Sequence, residues 1–150
     1  MAMARSYYST VFEQTADRIW SVIRDFGNHS VWVDGVTESH IEEGRPGDAV
    51  GSIRSVAIGD LRIRQQLVAH SDIDRSYTYD AREPYRFPVQ NFRATLRVTP
   101  IVDGSRAFVE WWATFDCAPD ERDRWTAYFE HEGFATWLRS LRARLESSTG

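Results

Sequence analysis

The sequence contains no lysine, and all 18 of its basic residues are arginine. This absence excludes Schiff-base chemistry through lysine, covalently held pyridoxal phosphate, and the Walker phosphate-binding loop, which needs its lysine. A single cysteine, Cys117, excludes an internal disulfide framework and a cysteine-based zinc site. No apolar run reaches the roughly 18 residues of a membrane-spanning helix, and Met1 to Tyr8 lack the apolar segment of a secretory signal. We therefore expect a cytoplasmic protein without a membrane span.

Charge and histidine spacing argue against two further kinds of partner. The formal net charge is −4, which disfavours a nucleic-acid surface. The four histidines (His29, His40, His70 and His131) form no HxH or HExxH pattern. We therefore predict no metal, no cofactor and no nucleic acid. We expect a monomer or a weak homodimer.

Apolar and aromatic residues, in contrast, are plentiful. The chain of 150 residues is 42% apolar and includes 6 tryptophans, 6 tyrosines and 8 phenylalanines. That length and composition suit one domain with a sizeable core. Because the sequence shows no repeat, linker or low-complexity stretch, we predict a single domain over residues 1–150.

The order of periodic segments predicts the fold class. A strand over Ala4–Gln14 precedes Thr15, a plausible helix N-cap, and two short helices follow. Six further segments with strand character are joined mostly by tight turns, and a long amphipathic helix spans Asp120–Glu146. Consecutive hairpins build an antiparallel sheet whose apolar face needs a cover, which the long helix supplies. The prediction is therefore an α+β fold, a strongly curved sheet wrapped around the C-terminal helix with a cavity between them.

The clearest alternation in the chain runs over Gln90–Val102. Phe92, Ala94, Leu96, Val98 and Pro100 fall on one side of this segment. Arg93, Thr95, Arg97 and Thr99 fall on the other side. A period of two with one polar face predicts an antiparallel strand with one side against the core and one side in water.

This order of elements resembles the START-related superfamily, which has the helix-grip fold. The resemblance covers nearly the whole chain and is most specific to the small bacterial polyketide cyclase/dehydrase-like branch. It is carried by Val50-Gly51-Ser52-Ile53-Arg54, by Pro88–Pro100 and by Val109–Asp116. It implies a curved seven-stranded antiparallel sheet gripping the C-terminal helix, with two short helices after the first strand. It also implies an internal site for hydrophobic ligands.

Some positions of the superfamily's plant hormone receptors carry over one by one. The resemblance implies that Arg54 points toward the ligand, with Gln65 standing where those receptors have a pocket glutamate. The stretch Asn91-Phe92-Arg93-Ala94 corresponds to cavity-lining residues but lacks both hydroxyls. Asp34 stands where the receptors have their carboxylate-anchoring lysine, and the gate loop is shortened to Gly59-Asp60. These departures argue against a hormone receptor and against the related amine-condensing plant synthases.

The residue pattern itself adds candidate site residues. Arg54 is in phase with Val56 and Ile58 on one strand face, so its guanidinium should point inward, where it needs a partner such as Gln65 or a ligand oxygen. Gly133 removes volume from the inner face of the long helix, either for a cavity or for close packing. Aromatic residues line the cavity or fill an ordinary core: Trp20, Tyr79, Phe92, Trp111, Phe129 and Trp137.

Three functions remain open at this stage. The first is binding of a small hydrophobic or aromatic molecule, for which we predict Arg54, Gln65, Tyr79, Phe92, Ala94, Trp111, Phe129, Gly133 and Trp137 as ligand-binding residues. The second is cofactor-independent aromatase/cyclase or dehydratase chemistry, with Arg54 holding an enolate oxygen and Asp34 or Tyr79 handling protons. The third is a stress or interaction protein that acts through an exposed Trp112, its cavity being incidental.

Overall fold

Seven strands form one curved antiparallel sheet in the computed structural model, which describes residues 1–83 and 87–147. The strands are β1 (Ala2–Phe12), β2 (Val36–Ile41), β3 (Ile53–Ile58), β4 (Leu61–Ser71), β5 (Ser76–Arg82), β6 (Gln90–Ile101) and β7 (Arg106–Cys117). Their order in the sheet is β1-β7-β6-β5-β4-β3-β2, so β2 to β7 form a continuous meander and β1 joins at the β7 edge. This is the predicted helix-grip architecture.

Two short helices link β1 to β2. The first, α1 (Ala16–Ile23), begins after Thr15, whose side chain accepts a hydrogen bond from the Arg18 backbone N–H as the sequence predicts. The second, α2 (His29–Trp32), is a single turn with a buried His29 and a buried Trp32. The first packs against β6 and β7, and the second packs against β2 and the C-terminal helix.

The C-terminal helix runs over residues 119–147 without interruption, in agreement with the prediction of one helix. It starts as a 3₁₀ turn (Pro119–Glu121) and continues as α3 (Arg122–Ala127), a π-helical section (Tyr128–Ala135) and α4 (Thr136–Ser147). The π section was not predicted, because apolar spacing does not distinguish α from π winding over two turns. Such sections often occur at functional sites.

The predicted faces of β6 are confirmed along most of the strand. Phe92, Ala94, Leu96 and Val98 are buried, and Arg93 and Arg97 are exposed. Thr95 is half-buried rather than exposed, because its hydroxyl lies 2.8 Å from that of Thr78 on β5. Pro100 is exposed at the end of the strand.

One strand begins later than the sequence suggests. The alternation predicts a strand from Ala49, whereas β3 begins at Ile53. Gly51 adopts a φ of 98°, a left-handed conformation that interrupts an extended chain. The backbone at Gly51 and Ser52 still pairs with Leu67 of β4, so the turn is anchored to the sheet.

Candidate ligand-binding cavity

A cavity of about 220 Å³ lies between the sheet and the C-terminal helix. It is lined from α2, β2 to β6, the π section of the helix and the start of α4, and most of its lining side chains are aliphatic or aromatic. The lining residues are His29, Val33, Val36, Val56, Ile58, Leu61, Ile63, Gln65, Tyr79, Phe87, Phe92, Tyr128, Phe129, Glu132 and Trp137. An apolar chamber with a few polar groups is the usual form of a small-molecule site.

Arg54 stands next to this cavity as a buried cation. Its side chain leaves β3 toward the interior, and the residue is 1% exposed. Nε donates to Gln65 Oε1 at 2.7 Å, and Nη1 donates to the Phe26 carbonyl at 3.3 Å. The guanidinium also lies over the Phe26 ring, 4.0 Å from its centroid, and 4.9 Å from the centroid of Tyr79. Nη2 is buried and has no hydrogen-bond partner among the described residues.

The contact with Arg54 fixes the orientation of the Gln65 amide. A guanidinium has donors and no acceptor, so the atom of Gln65 that faces it must be Oε1. Gln65 lies on β4 directly opposite Arg54 and lines the cavity. Its Nε2 group has no hydrogen-bond partner in the described part of the chain. Gln65 therefore contributes an N–H donor to the cavity lining, and an acceptor atom on a ligand would pair with it.

Tyr79 presents a second oriented polar group. Its hydroxyl oxygen accepts a hydrogen bond from Trp111 Nε1 at 3.2 Å. Burial raises the pKa of the Tyr79 hydroxyl, although the positive charge of Arg54 opposes this shift. Tyr79 therefore stays protonated near neutral pH and contributes a hydroxyl group to the cavity wall.

His29 borders the cavity from α2. The residue is 7% exposed, and its ring meets Trp32 and Trp137 edge-on at 5.2 Å and 6.4 Å between centroids. Burial, with a smaller effect from the charge of Arg54, holds the pKa of His29 well below its usual range. Its imidazole is therefore neutral at pH 7.

The cavity meets a shallower outer depression at one end. Phe87, Tyr128 and Glu132 border both spaces. The Phe87 ring packs 5.4 Å from Tyr128 and 5.6 Å from Trp125, centroid to centroid. Phe87 and the π section of the helix therefore form the boundary between the cavity and this outer depression.

The structure gathers five of the predicted ligand-binding residues around the cavity and places the other four outside its lining. Gln65, Tyr79, Phe92, Phe129 and Trp137 line the space. Arg54, Ala94, Trp111 and Gly133 are buried but are outside the lining set.

Gly133 leaves less space than a missing side chain suggests. A Cβ atom built there would lie 3.5 Å from two ring atoms of Trp137, which is ordinary contact. The Trp137 ring therefore occupies the space beside Gly133. Trp111 is completely buried and stacks on Phe134 at 4.9 Å.

Two other predicted positions lie away from the cavity. Asp34 is exposed and outside the lining set, and its backbone N–H donates to the Ser140 hydroxyl at 2.9 Å. Trp112 is half-buried rather than exposed, because Tyr7 of β1 stacks against it with ring centroids 6.5 Å apart. Trp20 is buried and donates from Nε1 to Asp72 at 2.8 Å, so it belongs to the packing of α1.

Sequence reasoning missed several lining residues, of which His29 is the most consequential. Helix α2 is one turn long, so no periodicity indicates which side of it faces inward. Tyr128 and Glu132 were missed because the π section rotates the helix faces away from α-helical spacing. The aliphatic lining residues of β3 could have been predicted from the sequence, since Val56 and Ile58 lie on the same strand face as Arg54.

Among residues 1–83 and 87–147, no group of three or more His, Cys, Asp or Glu side chains is placed to hold a metal ion. Within the same ranges, no helix is long and apolar enough to cross a membrane.

Solved structures share this fold along nearly their entire length. A protein from Thermobifida fusca is 26% identical, with a TM-score of 0.83, and the match covers 99% of this chain and 96% of that one. The protein XoxI from Bacillus cereus is 25% identical, with a TM-score of 0.82 and coverage of 98% and 99%. A point mutant of norcoclaurine synthase from Thalictrum flavum, in complex with a transition-state analogue, is 14% identical. It has a TM-score of 0.76 and coverage of 99% and 98%, and this likeness concerns the fold alone.

Sequence comparison gives the family. No curated protein is similar enough to this chain to count as a match. The model of the family described as polyketide cyclase/dehydrase and lipid transport, however, matches residues 3–147. With the helix-grip fold and its internal cavity in place, that match shows that the chain belongs to the polyketide cyclase/dehydrase and lipid transport family.

Proposed function

We propose that this protein binds a small hydrophobic or aromatic molecule in the cavity between the sheet and the C-terminal helix. The observation that carries the proposal is the 220 Å³ cavity itself, which is enclosed mainly by apolar and aromatic side chains. An interior cavity of roughly 150 Å³ lined by apolar residues is large enough to bind benzene. The volume therefore suits a molecule of one ring or two fused rings.

The polar groups at the wall narrow the ligand class. The amide N–H of Gln65 needs an acceptor, and Arg54 places a buried positive charge directly behind it. A ligand that displaces water from this end must supply an oxygen atom, because a buried donor left without a partner costs roughly 1–3 kcal/mol. The best ligand is flat and apolar and carries one carboxylate, phenolate or carbonyl oxygen.

A cyclase or dehydratase acting on a polyketide-like substrate is the second candidate, and the family's description favours it. Such chemistry needs a group that moves protons near the substrate. Asp34 is exposed outside the cavity lining, and the raised pKa of Tyr79 keeps its hydroxyl protonated near neutral pH, so the phenolate is not available as a base. The arrangement of these two residues therefore supports binding better than catalysis.

Native mass spectrometry of the freshly purified protein tests the proposal directly. We expect an additional mass from a small co-purified molecule, or else saturable binding of toluene and indole followed by NMR. Phe129→Trp, which fills the cavity, should reduce this binding, and Phe108→Trp, a change outside the lining, should not. An absence of both co-purified and added ligand would remove the proposed function. Conversion of a linear polyketide mimic into a cyclised or dehydrated product would favour the enzyme.

A further inference from the structure

His29 lies in the wall of the cavity and not in the packed core alone. Its ring lines the cavity while packing edge-on against Trp32 and Trp137. The Nδ1 atom is buried and has no hydrogen-bond partner in the described part of the chain. Buried polar atoms in native proteins are almost always paired with protein, water or ligand. His29 therefore contributes a polar ring to a largely apolar wall, and the described residues do not satisfy its hydrogen-bonding capacity.

The charges around this imidazole are unbalanced. Arg54 of β3 is a buried cation whose charge acts on the His29 imidazole. Its guanidinium donates hydrogen bonds to the neutral oxygens of Gln65 and Phe26. From the other elements around the cavity, β5 contributes Tyr79, and the C-terminal helix contributes Tyr128 and Glu132. Glu132 is an exposed residue at the boundary between the cavity and the outer depression, so its charge is screened by solvent. The interior potential is therefore positive and suits an anion.

We infer that His29 is a second ligand-binding residue, and that the ligand is a small aromatic acid whose binding places a proton on the His29 imidazole. This inference rests on the proposed function, because it concerns the occupant of the same cavity. For a phenol or a carboxylic acid that enters intact, the O–H bond breaks and an N–H bond forms on the imidazole. For an acid already ionised in solution, the acid form of the buffer supplies the proton and becomes its conjugate base.

The physical reason is that the anionic ligand and the protonated His29 imidazolium stabilise each other. In the empty cavity, burial and the positive charge of Arg54 both oppose protonation of His29. An anion in a cavity of about 220 Å³ lies close to both residues and offsets that repulsion. Because the anion favours the imidazolium, the imidazolium favours the anion by the same amount. A neutral ligand of the same shape has no such linkage.

The linkage gives a measurable proton count. We would titrate the protein with benzoate, benzamide and toluene by calorimetry at pH 7 and pH 8, in two buffers with different enthalpies of ionisation. Benzoate should take up close to one proton per molecule bound, and its affinity should fall about tenfold from pH 7 to pH 8. Benzamide and toluene should bind without proton uptake and with the same affinity at both pH values. Benzoate binding without proton uptake would overturn the inference.

Two variants assign the proton to one residue. His29→Gln should abolish proton uptake and make benzoate affinity independent of pH, while toluene binding shows that the variant is folded. His40→Gln, a matched change at a histidine whose side chain is 51% exposed, should retain the uptake. Proton uptake that persists in His29→Gln would overturn the assignment.

The neutral probe separates the two proposals. If toluene binds and benzoate does not, the inference about His29 fails and the proposed function stands. If neither benzoate nor toluene binds, the proposed function fails and the inference fails with it.

Discussion

The two ends of the sheet have different interiors, one filled with side chains and the other containing the cavity. At the closed end, β1, β6 and β7 contribute side chains with 0% exposure, and α4 adds leucines with at most 1%. These residues are Phe12, Val98, Ala107, Val109, Leu138, Leu141 and Leu145. At the other end, β3, β4 and β5 stand away from the π section and leave the cavity.

The two ends also differ in the hydrogen bonds that their arginines make. Arginines at the closed end bond to backbone oxygens: Arg142 donates to the Val11 carbonyl at 3.0 Å, and Arg18 donates to the Leu145 carbonyl at 2.9 Å. The buried arginine and histidine at the cavity end each retain a nitrogen without a described partner, namely Arg54 Nη2 and His29 Nδ1. The arginines of the closed end are therefore held by backbone oxygens, whereas the buried cation of the cavity end keeps one donor without a described partner.

Replacing one leucine at each end should give the largest difference in stability between the two ends. Leu141→Ala in the closed end should lower the free energy of unfolding by about 2–5 kcal/mol, because it creates a void in a filled core. Leu61→Ala in the cavity wall should lower it by roughly 1 kcal/mol or less, since Leu61 is half-buried and already faces open space. Urea denaturation measures both values. Equal losses at the two sites would contradict a difference between the ends.

The second effect is a dependence of stability on pH that comes from the cavity end. The folded pKa of His29 is lowered, so as the pH falls below its usual value of about 6.5 the unfolded chain binds a proton that the folded chain does not. Stability should therefore fall as the pH drops through this window, with a limiting slope of about 1.36 kcal/mol per pH unit. Denaturation curves at pH 7, 6 and 5 measure this loss.

His29→Gln supplies the control, because it should flatten the pH profile across that window while His40→Gln leaves it unchanged. The carboxylates of Glu42 and Asp72 also have lowered pKa values, but their stabilisation is lost only as the pH falls below about 4.5 and 3.8. An identical slope in wild type and His29→Gln would rule out His29 as its source.

A third effect concerns ligand selectivity. Arg54→Met should weaken benzoate and benzamide binding by about tenfold, near 1.4 kcal/mol, because the Gln65 amide loses its fixed orientation and the positive charge disappears. Toluene affinity should change by less than about twofold. The measurement is the ratio of the dissociation constants for benzamide and toluene. Equal losses for both ligands would make Arg54 a structural residue.

The smallest effect is a gain at the boundary between the two ends. Gly133→Ala should stabilise the protein by about 0.5–1 kcal/mol, since a helical glycine is conformationally costly and the new Cβ meets Trp137 at 3.5 Å. That gain corresponds to an increase in the melting temperature of about 2–4 °C at most. A decrease would show that the Trp137 ring cannot accommodate the methyl group.

The sequence predicts the sheet well because β6 and β7 alternate strictly. Residues such as Ala94 and Val109 are buried where period two requires it. Prediction weakens at β3, where the φ of Gly51 displaces the start of the strand. It also weakens in the C-terminal helix, where π winding changes which side chains face inward.

The candidate site was partly predictable for the same reason. Gln65 and Tyr79 lie on strands, where the period fixes the inward face, and both line the cavity. His29 lies on a single helical turn, which has no period to read. Asp34, predicted as a candidate for moving protons, is outside the lining because a loop position is set by contacts such as that with Ser140.

The sequence by itself determined the order of elements, the buried faces of the strands and the absence of lysine chemistry, because these depend on residue identity and local periodicity. The tertiary structure alone decided that the space beside Gly133 is filled by Trp137, that Arg54 turns Gln65 toward the cavity, and that His29 is neutral. Each of these depends on which distant side chains share one enclosed volume, where burial and a nearby charge change the chemistry of a residue.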